Sequence, residues 1–264
     1  MNYQRIACLS TEAVETLYLL GAEDQIVGIS GFTTRPVRAR KEKPKVSGFS
    51  TAKVERILAV EPDLVIAFSG LQADIARELI RAGVEIHVFN QRSVAGILGM
   101  IHTLAALVDR SQAGERLVAD LQDRLNAARL RARTLTRRPR IYFEEWNDPL
   151  ISGIRWVSEL IETAGGEDCF SEESQRSAAR DRIISDPADV IRRAPDIIVG
   201  SWCGKKFRSE QVRTRPGWDA VPAVRDNQLY EIKSADILSP GPSAITEGLT
   251  QLDRIVTRWV QAAK

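Results

Sequence analysis

The chain has 264 residues, enough to bury a full core as one large domain or two smaller ones. Its apolar content of 44% and charged content of 27% are ordinary for a globular protein, and a net charge of +2 argues against a nucleic-acid partner. No apolar run is long enough to cross a bilayer, and the irregular spacing of Cys8, Cys169 and Cys203 argues against a disulfide scaffold.

Residues 5–9 read as a short buried strand, followed by a helix from Thr11 to Leu20 that Gly21 stops. Gln25 to Ser30 is a second strand, and Gly31 to Lys45 a loop with Pro36, Pro44 and several basic residues. A short helix, Val54 to Val60, is closed by Pro62, and Leu64 to Phe68 is a continuous apolar strand of the kind buried on both faces of a parallel sheet. A helix from Leu71 to Ala82, ending at Gly83, leads to a strand from Val84 to Phe89. Strand, helix and strand alternate at the spacing of a parallel α/β sheet.

Ser93 to Val108 is helical, and Ser111 to Leu135 reads as one long helix with Leu117, Leu121, Leu125 and Ala128 on one stripe. At about 24 residues it would be roughly 36 Å long, a strut that predicts only a modest change of shape on ligand binding. Beyond it come a strand, Arg140 to Glu145, and a helix, Trp156 to Ala164, ending in Gly165-Gly166. A helix from Ala188 to Arg193 leads through Pro195 to a strand, Ile197 to Ser201. A basic loop, Cys203 to Arg208, a strand, Leu229 to Ile232, and a last helix, Ser243 to Ala262, complete the chain.

These elements repeat. Arg5-Ile6 is echoed by Arg140-Ile141, Gly21-Ala22-Glu23-Asp24 by Gly165-Gly166-Glu167-Asp168, and Pro62-Asp63 by Pro195-Asp196, at offsets of 135, 144 and 133 residues. Three matches in one order predict two related α/β lobes, residues 1–108 and 137–264, joined by a helical backbone over 109–136. The prediction is of two Rossmann-like lobes with parallel central sheets and a ligand cleft between them.

In such sheets ligands bind beyond the carboxyl ends of the strands. Phe68, Glu144, Glu145, Trp146, Trp202, Lys205, Lys206 and Arg208 fall there. The aromatics offer stacking surfaces, and the cations suit a carboxylate or phosphate. Glu144 and Glu145 suit a polar or cationic group, or acid–base work, although adjacent strand residues face opposite ways. The alternative is a structural carboxylate bridged to an arginine. Cys203 lacks a histidine partner: His87 lies within a strand and His102 within a helix. No metal-ligand spacing, phosphate-binding glycine loop or dinucleotide fingerprint occurs. The residues therefore predict a binding protein rather than an enzyme, with no cofactor and no metal.

The pattern of two lobes, one long helix, helix-PDLVIA and helix-PDIIVG resembles the substrate-binding proteins of ABC importers for cobalamin, iron-siderophores and haem. Cobalamin binders are the most similar. The resemblance covers nearly the whole chain. It is most specific at Leu19 to Ser30, Val46 to Ala67, Ile151-Ser152-Gly153 and Gly165 to Asp168. It implies the class III periplasmic-binding-protein fold and a bulky ligand, cobalamin or another corrinoid. Phe32, Phe49 and Phe68 stand where cobalamin binders carry aromatics, Trp146 lies in the loop that floors the second lobe, and Asp236 lies near a polar contact. Trp202 would join them, and Glu144, Glu145, Lys205 and Arg208 would meet the ligand's periphery.

The family docks on its permease through one glutamate per lobe. Glu55 matches the first position, and Ala188, beside Asp189, stands at the second. Ala164 replaces the cysteine of some cobalamin binders, so that disulfide cannot form. The expected protein is monomeric, with a small-molecule ligand, no nucleic acid and no membrane insertion. As the sequence stands, with a strand starting at Ile6, it predicts a cytoplasmic location, or a periplasmic one after loss of a leader. The alternative is a cytoplasmic relative binding a different charged or planar metabolite without a transporter.

Overall fold

The structure is a computed structural model that describes residues 3–262. Its described residues form two compact units. The first runs to Gln91 and includes Ala95–Asp120, and the second takes Arg92–Val94 and the chain from Leu121 onward.

The first lobe contains β1 (Ile6–Cys8), α1 (Thr11–Leu19), β2 (Ile26–Ser30), α2 (Ala39–Glu42), β3 (Lys45–Ser47), α3 (Val54–Leu58), β4 (Leu64–Phe68), α4 (Ala73–Arg81) and β5 (Ile86–Phe89). Its strands form one parallel sheet in the order β3-β2-β1-β4-β5. β1 and most of β4 are buried, which explains their unbroken apolar sequence. Ala7, Val65 and Ala67 on these strands pack with Ile57 and Leu79 in one core cluster. At roughly 1.5–3 kcal/mol for each large buried apolar side chain, that burial holds the sheet together. Helix α5 (Val94–Leu107) follows, and α6 (Ser111–Ala132) starts in the first unit and ends in the second.

The second lobe contains β6 (Arg140–Asn147), β7 (Leu150–Ser152), α7 (Arg155–Thr163), β8 (Glu167–Asp168), α8 (Ser171–Ser174), α9 (Ala188–Arg193) and β9 (Ile197–Gly200). It continues with α10 (Ser209–Arg213), α11 (Pro222–Arg225), β10 (Leu229–Glu231), α12 (Ser234–Ile237) and α13 (Leu249–Ala262). β10, β9 and β6 run parallel. β6 is flanked on its other edge by two short pieces: β8, parallel at its start, and β7, antiparallel at its end.

The repeat is visible in this topology. β1, β2, β4 and β5 correspond to β6, β8, β9 and β10, each set centred on its first strand. Gly21 and Gly165 stop the equivalent helices α1 and α7 with φ of +68° and +91°, the left-handed conformation in which glycine carries no Cβ penalty.

Several boundaries differ from the sequence reading, each for a local reason. β5 starts at Ile86 because the Val84 amide still bonds back to Leu79 in the cap of α4. Helix α6 ends at Ala132, where the next amides tighten into turns. The expected loop 31–45 contains α2, and β3 begins at Lys45 because Ile29 and Gly31 bond to Pro44 and Ser47 across the sheet edge. The antiparallel hairpin strand β7 makes the second sheet mixed rather than wholly parallel, while the two-residue β8 keeps the parallel sense. The last helix opens with a π turn, Ala244–Gly248.

Candidate functional site

In the first lobe the carboxyl ends of β1 to β4 deliver an aromatic surface. Phe32 follows β2 and is 60% exposed, and Phe49 follows β3 and is 49% exposed. Single exposed apolar side chains are common on protein surfaces, so the informative feature is that these two rings adjoin. Their rings lie 6.1 Å apart at 70°, an edge-to-face contact. Phe68, at the end of β4, is half-buried.

A crevice of about 10 Å³ is lined by Phe49 and Phe68 together with Glu12 and Gln72 among others. Glu12 is buried, and burial pushes its carboxyl up to about 7 despite contacts from Thr11 and Gln91. The turn that carries Phe49 is fastened by Ser30 Oγ donating to the Gly48 carbonyl at 3.0 Å and by Gln72 Nε2 donating to the Phe49 carbonyl at 2.7 Å.

The second lobe's strand ends are built differently. Glu144 is 0% exposed; its carboxylate takes both guanidinium nitrogens of Arg215 at 2.6 and 2.8 Å and the Trp202 indole N–H at 2.9 Å. Burial pulls the Arg215 guanidinium down, and the pair with Glu144 more than offsets this, leaving it raised. Glu145 points the other way and is held bidentately by the buried Arg182 at 2.6 and 3.1 Å. Arg182 also donates to the Ser152 carbonyl, so one guanidinium ties β6, β7 and the segment near Arg182 together.

Two residues expected on the ligand surface therefore lie under it. Glu144 is an internal ion-pair partner, and Trp202, 3% exposed, meets Phe207 edge-to-face at 5.0 Å with its N–H spent on Glu144. Glu145 is likewise committed to Arg182. What the second lobe leaves at its surface is cationic and aromatic. Lys205 places its ammonium 4.0 Å from the Trp146 ring centre and 5.2 Å from that of Trp202. Arg208 and Lys206 are exposed, and Trp146 is half-buried. Asp236 accepts from Gln251 Nε2 at 3.0 Å. Cys203 is exposed at its surface yet its thiol is raised, by burial of the sulfur and by Glu145. That is the opposite of an activated nucleophile. Among the described residues no group of acids, histidines and cysteines is placed to hold a metal ion.

A profile of the periplasmic binding protein family matches residues 6–235. The chain belongs to that family. The vitamin B12-binding protein of Vibrio parahaemolyticus serotype O3:K6 is 28% identical over 245 residues, covering 92% of this chain and 86% of the relative. An uncharacterized ABC transporter substrate-binding lipoprotein of Bacillus subtilis is 25% identical over 264 residues, covering 94% and 78%. The crystal structure of the periplasmic vitamin B12 binding protein of Vibrio cholerae superposes with a TM-score of 0.77 at 20% identity, covering 97% of this chain and 98% of that one. This likeness establishes the shared fold.

As a periplasmic binding protein, the chain is a solute-binding protein rather than a member of an enzyme family. Glu55 is exposed near the start of α3. At the equivalent helix, Ala188 is half-buried and Asp189 is engaged by Arg192 and Arg193. No described helix is long and apolar enough to cross a membrane. Sequence reasoning missed Gln72, Arg182 and Arg215. Nothing local marks them: Arg215 meets Glu144 across 71 residues, Arg182 meets Glu145 across 37, and Gln72 meets Leu9 across 63.

Proposed function

We propose that this periplasmic binding protein captures a corrinoid, cobalamin first among them, for an ABC importer. The observation that carries the reading is the pair Phe32 and Phe49, two large apolar rings left open at the strand ends of a chain whose relatives include vitamin B12-binding proteins over nine-tenths of its length. Exposed aromatic faces suit the flat, apolar part of a large ring system, and Phe68 extends that surface. In the second lobe Trp146, Lys205 and Arg208 are the proposed contacts, with Asp236 supplying a polar one. Glu144, Glu145 and Trp202 support those contacts from below.

Docking on a permease would use the exposed Glu55, and the working location would be on the importer's solute side of the membrane. The similarity to a substrate-binding lipoprotein supports both. The protein would act as a monomer. A second reading, a carboxylate-bearing planar ligand, is favoured by one observation: Lys205, Lys206 and Arg208 are all exposed on a single loop.

Spectroscopic titration with cobalamin, cobinamide, haem and ferric siderophores tests both. The first reading expects saturable, micromolar or tighter binding of the two corrinoids. Preference for haem would favour the second, and no binding of any of them would reject both.

A further inference from the structure

β1 and β4 are parallel neighbours, and their ladder breaks off just where the aromatic surface begins. The Leu9 N–H donates to the Ile66 carbonyl at 2.8 Å. In a continued parallel ladder, the Phe68 N–H would answer by donating to the Leu9 carbonyl. It does not. Gln72 Oε1 accepts the Phe68 N–H at 2.8 Å, and Gln72 Nε2 donates to the Leu9 carbonyl at 3.2 Å. The carboxamide stands between two strands and replaces one rung with two bonds. The same Nε2 donates to the Phe49 carbonyl at 2.7 Å.

The residue type follows from this geometry. One acceptor and two donors are needed in a buried place without charge, and a carboxamide offers all three. Gln72 is buried, and its oxygen and both N–H groups are used. The crevice lined by Phe49 and Phe68 lies at this break, with Leu9 and Gln72 among its lining residues.

A second observation marks the same place. Ser69 has φ 56° and ψ 177°, a backbone region nearly reserved for glycine. It is held there by its N–H on the Phe89 carbonyl at 2.7 Å and by the Leu71 N–H on its own Oγ at 3.3 Å. Phe68 is thus fixed from both sides, by an inserted amide and by a strained successor. Strain of this kind persists where the surrounding structure dictates a direction.

We infer that Gln72 is the positioning residue of the first lobe's ligand surface: its carboxamide, inserted between β1 and β4, fixes Phe49 and Phe68 relative to each other. That these rings then meet the solute rests on the function proposed above.

The test is Gln72→Met, which keeps the volume and removes every hydrogen bond. In the ligand-free variant, the ring resonances of Phe49 and Phe68 should move, and exchange of the Phe68 amide should change as the Phe68 N–H is freed or rejoins the Leu9 carbonyl. Cobalamin affinity should fall about ten-fold. In a Phe49→Ala background the same substitution should cost clearly less, because one of the two rings it positions is gone. A merely structural glutamine would show equal losses in the two backgrounds, and unmoved Phe49 and Phe68 resonances would overturn the inference. If Gln72→Met does not fold, Gln72→Asn keeps the amide but withdraws it by one methylene, and is read the same way. Should the wild-type protein bind no corrinoid, the resonances and the amide exchange still decide the role of Gln72.

Discussion

The two lobes share a scaffold and differ in how they finish their strands. In the first, the ends of β1, β3 and β4 are joined by one neutral amide, Gln72, and a buried carboxyl, Glu12, has no cation paired with it among the described residues. In the second, the end of β6 is gripped by two arginines, one on each side. A repeat in sequence thus fixes where strands and helices lie. The non-repeated residues at the strand tips decide whether the tip is an open aromatic surface or a pinned, cation-bearing loop. Position 67 in β4 and position 200 in β9 show this at the scale of one methyl group. The first is a buried alanine. The second is a glycine, because an added Cβ would sit 1.9 Å from Phe207.

The largest expected effect tests whether the second lobe depends on its charges. Glu144→Ala leaves the mostly buried Arg215 without its counter-charge, and should cost about 3–5 kcal/mol, since removing one partner of a buried pair exposes the full desolvation penalty of the other. Thermal denaturation should show a fall of roughly 10 °C for a chain of this size. Replacing both members with apolar residues, Glu144→Leu with Arg215→Met, should recover much of the loss. A small effect of Glu144→Ala alone would mean that the pair is not what pins the loop.

A buried acid of the first lobe, Glu12 in α1, should behave in the opposite sense. The Glu12 carboxyl is raised from 4.5 to about 7, with burial as the leading cause. Its folded form therefore binds protons that the unfolded chain releases. The associated stability is present below about pH 4.5 and is lost as pH rises through about 7. The shift corresponds to about 3 kcal/mol. Glu12→Gln should remove that dependence and make the protein more stable than wild type at pH 8, with little difference at pH 5. Parallel denaturation curves for the two proteins across this range would contradict the assignment.

Gly200→Ala is the next in size. The methyl group collides with the Phe207 ring, and overpacking of this kind costs about 1–3 kcal/mol. Phe207 packs edge-to-face with Trp202, so Trp202 fluorescence should report the shift as well. The size of the loss measures how rigidly the second lobe's loop is held.

How much of this was legible beforehand follows the same division. Apolar runs such as Leu64–Phe68 and the glycine stops at Gly21 and Gly165 are local signals, and they placed most elements within a few residues. The exposed Phe32 and Phe49 were marked by family resemblance. The supports of the site were not legible. Gln72, Arg182 and Arg215 gain their meaning from partners that only the folded chain brings near, and a glutamine at a helix start or an arginine in a loop is ordinary in isolation. For Glu144 and Glu145 the sequence leaves a ligand contact and an arginine bridge both open, because a strand-end carboxylate looks the same whether it meets solvent or a guanidinium, and the fold takes the second for both. The hairpin strand β7 escaped notice because it directly follows β6.

The smallest expected effect on stability is also the sharpest on function. Phe32 is exposed and meets Phe49 only in an edge-to-face contact among the described residues, so Phe32→Ala should change stability by no more than about 0.5 kcal/mol. If the ring is a stacking surface for a corrinoid, its loss should weaken binding by about ten-fold, the effect of one aromatic contact of about 1.4 kcal/mol. The two measurements pull apart the two reasons for an apolar side chain to be where it is. A core residue would register in denaturation, and a ligand residue in titration. Unchanged affinity with unchanged stability would leave Phe32 a solvent-facing ring of no consequence, and would move the first lobe's contact to Phe49 and Phe68, the two rings that Gln72 holds.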